Sequence, residues 1–322
     1  MAASPTTTRP AAITAVGLAK SYGDKVVLDG IDLCVPEGTV FALLGADGAG
    51  KTTTVRILST LIRASAGDAR VAGHHLHRDA DAVRKAIGVS GRFSAVDRLL
   101  TAEENLILMA DLHHLGRREG RRRAADLLRR FELTGVAGKP VAGFPGGVRR
   151  MLDLAMSLVG SPRVILLDEP TTGLDPPGRR TVWELIRRLV ADEGITIFLT
   201  TRYLEEADRL ADRIAVLAHG KLVAEGTADE LKRRLPGGHI RLRFTDASRL
   251  ASTAALFDLI TVTRDPEALT LDIPTDGSVL TLRAILDILD DASIQADRLT
   301  THSPTPADAF LTLTRRLDTA DR

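Results

Sequence analysis

Gly45-Ala46-Asp47-Gly48-Ala49-Gly50-Lys51-Thr52 fits the pattern G-x-x-x-x-G-K-[ST]. In such a loop, glycines let backbone N–H groups converge on phosphates at a helix N-terminus, where the helix dipole also favours negative charge. The context is right: Val40 to Leu44 is a continuous apolar run, and Thr53 to Leu61 is compatible with a helix. Far along the chain, Val164 to Pro170 reads V-I-L-L-D-E-P, a buried strand ending in two acids. The two motifs together predict a P-loop nucleotide site holding ATP and Mg²⁺. Gly45, Ala46, Asp47, Gly48, Ala49, Gly50, Lys51, Thr52 and Thr53 form the cradle, and Lys51 neutralises the outer phosphates. Thr52 offers its hydroxyl to the metal, Asp168 holds the same ion through water, and Glu169 is the candidate base.

With 322 residues the chain has room for one large domain and a small one. A net charge of +1 exerts no global pull on nucleic acid, and no nucleic-acid partner is expected. A single cysteine, Cys34, excludes an internal disulfide and suits a reducing compartment. Residues 1–11 read as a disordered tail rather than a signal peptide, and no apolar run approaches the ~20 residues that span a bilayer.

The runs Val40 to Leu44, Val164 to Leu167 and Ile195 to Leu199 lack polar alternation, as parallel strands covered on both faces do. Before them, Asp29-Gly30 between Val26–Leu28 and Ile31–Val35 predicts a hairpin in a small antiparallel sheet. A helical insertion occupies about 92–160, with a capping box at Thr101 and Glu104, and a later helix starts after Pro176-Pro177. Pro236-Gly237-Gly238 reads as a linker. The fold expected is therefore α/β, a P-loop NTPase with a mixed sheet over residues 12–236, followed by a small α+β domain over 239–322. That domain has strands at His239–Phe244, Ala268–Ile273 and Ile294–Thr301, helices to Phe257 and at Val279–Leu289, and a terminal helix from Pro306.

His74, His75 and His77 match no metal-ligand spacing and read as a solvated loop. The run Arg117, Arg118 and Arg121 to Arg123 has no interleaved aromatics and reads as a solvated helix face. A GTPase would carry Asn-Lys-x-Asp, but the chain's one Asn, Asn105, precedes Leu106.

Tyr22, Gly45–Thr52, Phe144–Arg150, Val164–Pro170, Gly173–Pro176 and Thr200–Asp208, in this order, resemble an ABC-transporter ATPase subunit. Gly88–Asp97, Arg149–Ala155, Thr200–Asp208 and the tail Thr305–Thr314 resemble the daunorubicin/doxorubicin-resistance type of exporter ATPase. The resemblance implies that Tyr22 stacks on adenine, that Gly146 and Gly147 approach the γ-phosphate held by a second ATPase subunit in a homodimer, and that Asp175 contacts that partner. It also implies an integral-membrane permease and a peripheral position on the cytoplasmic face of the membrane.

Four positions depart from the family pattern. Arg92 replaces a Gln near the metal, Pro145 the signature Ser, Arg202 a switch His or Gln, and Asp47 a loop Asn. Pro145 removes both a hydroxyl and a backbone N–H, whereas Arg202 can still donate to a phosphate and stabilise transition-state charge. Two readings follow. One is an ATPase that drives drug efflux, with Lys51, Asp168, Glu169 and Arg202 catalytic; the alternative is a nucleotide-binding regulatory or docking subunit with little turnover. A soluble ABC protein acting on ribosomes or DNA would carry paired ATPase units or coiled-coil insertions, and neither is present.

Overall fold

A computed structural model describes residues 10–92, 94–233, 238–257, 262–275 and 278–302. Strands β1 (Ala11–Tyr22) and β2 (Lys25–Pro36) are antiparallel, with Tyr22 paired to Lys25, so the turn lies at Gly23 and Asp24. Asp29-Gly30 does not turn the chain. Between the pairs Leu18–Ile31 and Lys20–Leu28 one extra residue sits on β2, and Gly30 takes φ 70° there: the glycine serves a bulge within a continuous strand. The two-residue Gly23-Asp24 connection, with Gly23 at φ 58°, satisfies the tight-hairpin requirement instead. Ala11, expected in the tail, begins β1; residues 1–9 lie outside the described residues.

The chain then enters β3 (Val40–Gly45), passes through the phosphate loop, and continues as α1 (Lys51–Leu58). Strands β4 (Ala66–Val71) and β5 (His74–His75) complete a four-stranded sheet in the order β2-β1-β4-β5. Helix α2 (Ala80–Ala86) leads to β6 (Ile87–Ser90). Helices α3 (Ala102–Leu112), α4 (Arg117–Arg130) and α5 (Gly146–Ser157) form the insertion. The capping box at Thr101 is complete: Glu104 donates its N–H to the Thr101 hydroxyl at 3.2 Å, and its carboxylate accepts the Thr101 N–H at 2.8 Å. Arg123 of the basic run is not merely solvated, since it donates to the Leu158 carbonyl at 3.0 Å and ties α4 to the end of α5.

Next come β7 (Val164–Asp168), α6 (Pro176–Glu193), β8 (Thr196–Thr201), α7 (Leu204–Leu210), β9 (Arg213–Ala218) and β10 (Lys221–Gly226). The two prolines occupy the first turn of α6, where a missing N–H costs nothing, and Asp175 caps it. The sheet order is β10-β9-β3-β8-β7-β6, parallel except for β10. Every residue of β3, β7 and β8 is buried, which is why these strands are apolar without alternation. Phe41 and Phe198 stack at 5.8 Å across β3 and β8. This parallel register brings the ends of β3, β6, β7 and β8 to one sheet edge, where α/β sheets place their ligands.

A second compact unit begins at Ala228. It comprises α8 (Ala228–Arg233), β11 (Gly238–Arg243), α9 (Ala247–Leu256), β12 (Thr263–Asp265), β13 (Thr270–Thr275), α10 (Val279–Asp291) and β14 (Arg298–His302). From β11 onward the order is β-α-β-β-α-β, folded as an antiparallel sheet β12-β13-β11-β14, the ferredoxin-like arrangement. Its own core contains Ile240, Leu242, Phe244, Leu271, Ile273 and Leu289. Gly238 opens β11, while Pro236, Gly237 and the helix expected from Pro306 lie outside the described residues.

Gly88 shows how tightly β6 meets the insertion: a Cβ there would lie 2.3 Å from the Ser157 carbonyl oxygen. Gly88→Ala is therefore expected to lower stability by about 1–3 kcal/mol. Gly138→Ala, which has open space around it, should lie within about 0.5 kcal/mol of the parent. Urea midpoints measure both, and equal midpoints for the two variants would contradict the packing described.

Candidate active site

The phosphate loop is glycine-rich for a steric reason. A Cβ on Gly45 would meet the Leu217 carbonyl oxygen at 2.6 Å, and one on Gly50 would meet Leu28 at 2.6 Å and the Val27 carbonyl oxygen at 2.9 Å. Gly50, at φ 113°, is the N-cap of α1; no side chain caps that helix end and its first turn carries no acid, so its leading N–H groups are available to an anion.

Lys51 is 4% exposed. Its ammonium donates to the Gly45 and Ala46 carbonyls, both at 2.9 Å, and pairs with Glu169 at 3.3 Å. Glu169 follows β7 with φ 49°, an unusual conformation for a side chain of this size. The neighbouring strand holds it there: the Glu169 N–H donates to both the carbonyl and the hydroxyl of Thr200, each at 3.1 Å. The Thr200 hydroxyl in turn donates to Asp168 at 2.6 Å. The second Glu169 oxygen accepts from Thr172 at 3.1 Å and lies 3.6 Å from Arg92 Nε. Glu169 is thus held between a buried cation, Lys51, and a half-exposed one, Arg92.

Arg202, just past the end of β8, reaches Asp47 in the phosphate loop at 3.2 Å. It also donates to the Tyr203 hydroxyl at 2.9 Å, and Arg179 lies 4.7 Å from the centre of the Tyr203 ring. The charged departures therefore pair off: Arg92 with Glu169, Arg202 with Asp47.

A cleft of about 300 Å³ is lined by Lys25, Val27, Asp47, Gly48, Gly50, Lys51, Thr52, Thr53, Arg92 and Glu169. Lys25 and Val27 went unnoticed in the sequence. Their signal is the Gly23-Asp24 turn, which returns β2 toward the loop. Tyr22 is not among the lining residues; it is half-exposed at the end of β1, with the Lys20 ammonium 4.9 Å from its ring centre. Gly146 and Gly147 start α5 behind Pro145, which is the N-cap and supplies no side-chain hydrogen bond. They lie near Leu174 and Gly178 at the start of α6 and do not line this cleft.

The residues fit a magnesium nucleotide. The glycine cradle, the free helix start and Lys51 suit phosphates, and Thr52 with Asp168 offers hydroxyl and carboxylate oxygens to a hard cation. Among the described residues no group of three or more His, Cys, Asp or Glu forms a metal cage. Magnesium at nucleotide sites needs none, because waters and phosphate oxygens fill its shell. The histidine stretch is not a solvated loop throughout: His75 is buried, pairs with Asp68, and accepts the His77 N–H on Nδ1 at 3.1 Å.

Behind the site lies a buried polar layer. Asp153 of α5 accepts from Ser90, from Ser94 at 3.2 Å and from the Ala95 N–H at 2.9 Å. Arg150 donates to Asp153 at 3.0 Å and to the Gly91 carbonyl at 2.9 Å, which fixes the segment flanking Arg92 against α5. On α7, Glu206 accepts from Thr171 at 2.7 Å and from the Trp183 indole at 3.0 Å. Burial pushes its carboxyl up from the usual range, against these hydrogen bonds and the Arg150 charge, which pull it down.

Comparison with known proteins agrees with this geometry. The profile of the family described as ABC transporter matches residues 28–172. The daunorubicin resistance ATP-binding protein DrrA3 of Streptomyces coeruleorubidus is 48% identical, over 94% of this chain and 96% of its own. The daunorubicin/doxorubicin resistance ATP-binding protein DrrA of Streptomyces peucetius is 44% identical, over 86% and 84% respectively. Among solved structures, an ATP-binding subunit of an ABC transporter superposes with a TM-score of 0.62 at 29% identity, covering 69% of this chain and 92% of the other. A dimeric ATP-binding cassette bound to ADP and Pi in a post-hydrolysis state superposes with a TM-score of 0.60 at 25% identity, covering 67% and 98%. The chain belongs to the ABC transporter ATP-binding family, in the group of the daunorubicin/doxorubicin-resistance ATP-binding proteins.

Proposed function

We propose that this chain is the ATP-hydrolysing subunit of an exporter that moves a hydrophobic drug or antibiotic through a separate membrane permease. The observation that carries this is Glu169, held after β7 within 3.3 Å of Lys51 beside the glycine cradle. Two copies sandwiching two nucleotides would let Gly146 and Gly147 of each complete the other's site, a reading supported by the uncapped start of α5. Among the described residues no helix is long and apolar enough to cross a membrane, so the span is assigned to the permease and this chain to its cytoplasmic face.

Bound magnesium would supply charge neutralisation at the transferring phosphate, with Thr52 and Asp168 as its protein partners. The chain's own residues do the rest. Lys51 exchanges its loop carbonyls and Glu169 for phosphate oxygens, which frees Glu169 of one of its cations. Glu169 then accepts a proton from water. Glu169→Gln keeps the shape and removes the base, so steady-state hydrolysis by the permease-assembled complex should fall about 10²-fold or more while ATP binding persists. Retained hydrolysis would remove Glu169 from the role of base.

Pro145 limits the rate in this reading. Standing at the N-cap of α5, it offers neither a hydroxyl nor an N–H to a nucleotide held by the partner copy. Losing one donor aimed at developing charge costs ~10²-fold or more. Pro145→Ser is expected to raise turnover of the assembled complex toward that factor. A parent complex already at about 10 s⁻¹, unchanged by the substitution, would show that the position is neutral.

The second compact unit, with a core of its own and no glycine loop, is assigned to assembly rather than to the phosphate site. A chain ending at Pro236 should keep ATP binding, measured by titration with a fluorescent analogue, and lose co-purification with the permease. Loss of binding in a still-folded truncation would contradict this assignment.

A further inference from the structure

Glu169 turns the chain at φ 49°, a conformation that persists only where its surroundings over-determine it. On the upstream side, Thr200 fixes the Glu169 N–H. The downstream side must be fixed as well, because the direction of the carboxylate depends on where the chain goes next. Thr172 donates its hydroxyl to Glu169 Oε2 at 3.1 Å and its N–H to the Glu169 carbonyl at 3.2 Å. Thr171, one position earlier, sends its hydroxyl to Glu206 Oε1 at 2.7 Å.

Glu206 is fully buried on α7, and the same oxygen accepts from the Trp183 indole of α6 at 3.0 Å. One carboxylate oxygen therefore ties together the turn after β7, the helix that this turn leads into, and the helix that follows β8. Thr200 and Glu206, six positions apart, grip Glu169 from its two sides. Glu206 forms no ion pair among the described residues; Arg150, whose charge reaches it, is paired with Asp153 at 3.0 Å. A buried carboxylate without a paired cation costs stability, so packing alone does not account for an acid at this position.

We propose that Glu206 is a positioning residue for hydrolysis: it holds Thr171 so that Thr172 keeps the Glu169 carboxylate in the cleft. Glu206 is not among the residues lining that cleft and acts only through Glu169. The proposal rests on the reading of Glu169 as the base.

Hydrolysis by the permease-assembled complex tests it, with Glu206→Ala, Glu206→Gln and Thr171→Val compared with the parent. Glu206→Ala and Thr171→Val are also made in the Glu169→Gln chain. Glu206→Ala should lower kcat about tenfold or more, since misplacing a reacting group by 1 Å costs ~10²-fold, while the KM for ATP changes less than about twofold. Thr171→Val keeps the side-chain shape, removes the hydroxyl, and should lower kcat in the same way. Glu206→Gln, whose amide oxygen can accept both bonds, should recover most of the loss. In the Glu169→Gln chain either substitution should lower the residual rate less than about twofold, because no base is left to misplace.

Equal fractional losses in the parent and Glu169→Gln chains would overturn the proposal, because a merely structural role lowers both alike. So would an unchanged kcat in Glu206→Ala or Thr171→Val, a KM that rises as far as kcat falls, or a Glu206→Gln no better than Glu206→Ala. If Glu206→Ala does not fold, Thr171→Val decides alone by the same comparison. Hydrolysis retained in Glu169→Gln itself would instead refute the reading of the base, and the positioning proposal with it.

Discussion

A buried ammonium organises this molecule. Lys51 sits almost out of contact with water, and a charge so placed is tolerated only with close partners. It has three: two carbonyls of its own loop and the carboxylate of Glu169. The carbonyls come from local geometry, because the loop must fold tightly over the start of α1. The carboxylate comes from the sheet. Glu169 follows a strand one position removed from β3, with β8 between them, and Thr200 of β8 pins its backbone at positive φ. Loss of all three partners would leave a buried charge unpaired.

The two cations on Glu169 are not equivalent. Lys51 is buried at 3.3 Å, where its charge is weakly screened; Arg92 is 41% exposed at 3.6 Å and shares its charge with solvent. In the proposed mechanism, phosphates arriving at the loop compete with Glu169 for Lys51 first, so Glu169 is released from its stronger partner as the nucleotide is seated. Arg92 stays in place because its flanking segment is tied to α5 by Asp153 and Arg150. The same helix carries Gly146 and Gly147 at its start, so the base and the glycines that face a partner copy in the proposed dimer are linked by one buried polar layer.

Much of this was legible in the sequence where the determinants are local. The loop, the apolar runs of β3, β7 and β8 and the capping box at Thr101 each declare themselves within a few residues. Local preference pointed to Asp29-Gly30 for the first turn, wrongly: Gly23-Asp24 makes it, because the register of β1 and β2 leaves Asp29-Gly30 as a bulge. The short, exposed β12 carries no apolar alternation and went unread, as did the ferredoxin-like strand order of the second unit, which depends on pairing between distant segments. The pairing of Arg202 with Asp47 was invisible for the same reason. Read separately, Asp47 adds a negative charge near the phosphates and Arg202 a positive one; together they offset one another.

Lys51 rests on the loop carbonyls and Glu169, and in the proposed mechanism gives them up for phosphate. An experimental structure of the full chain with Mg²⁺ and a non-hydrolysable ATP analogue tests this most directly. The analogue is expected at the glycine cradle, with Lys51 Nζ within hydrogen-bond distance of phosphate oxygens and the contacts to the Gly45 and Ala46 carbonyls broken. A nucleotide bound elsewhere, or one at the loop with Lys51 still on those carbonyls and Glu169, would contradict it.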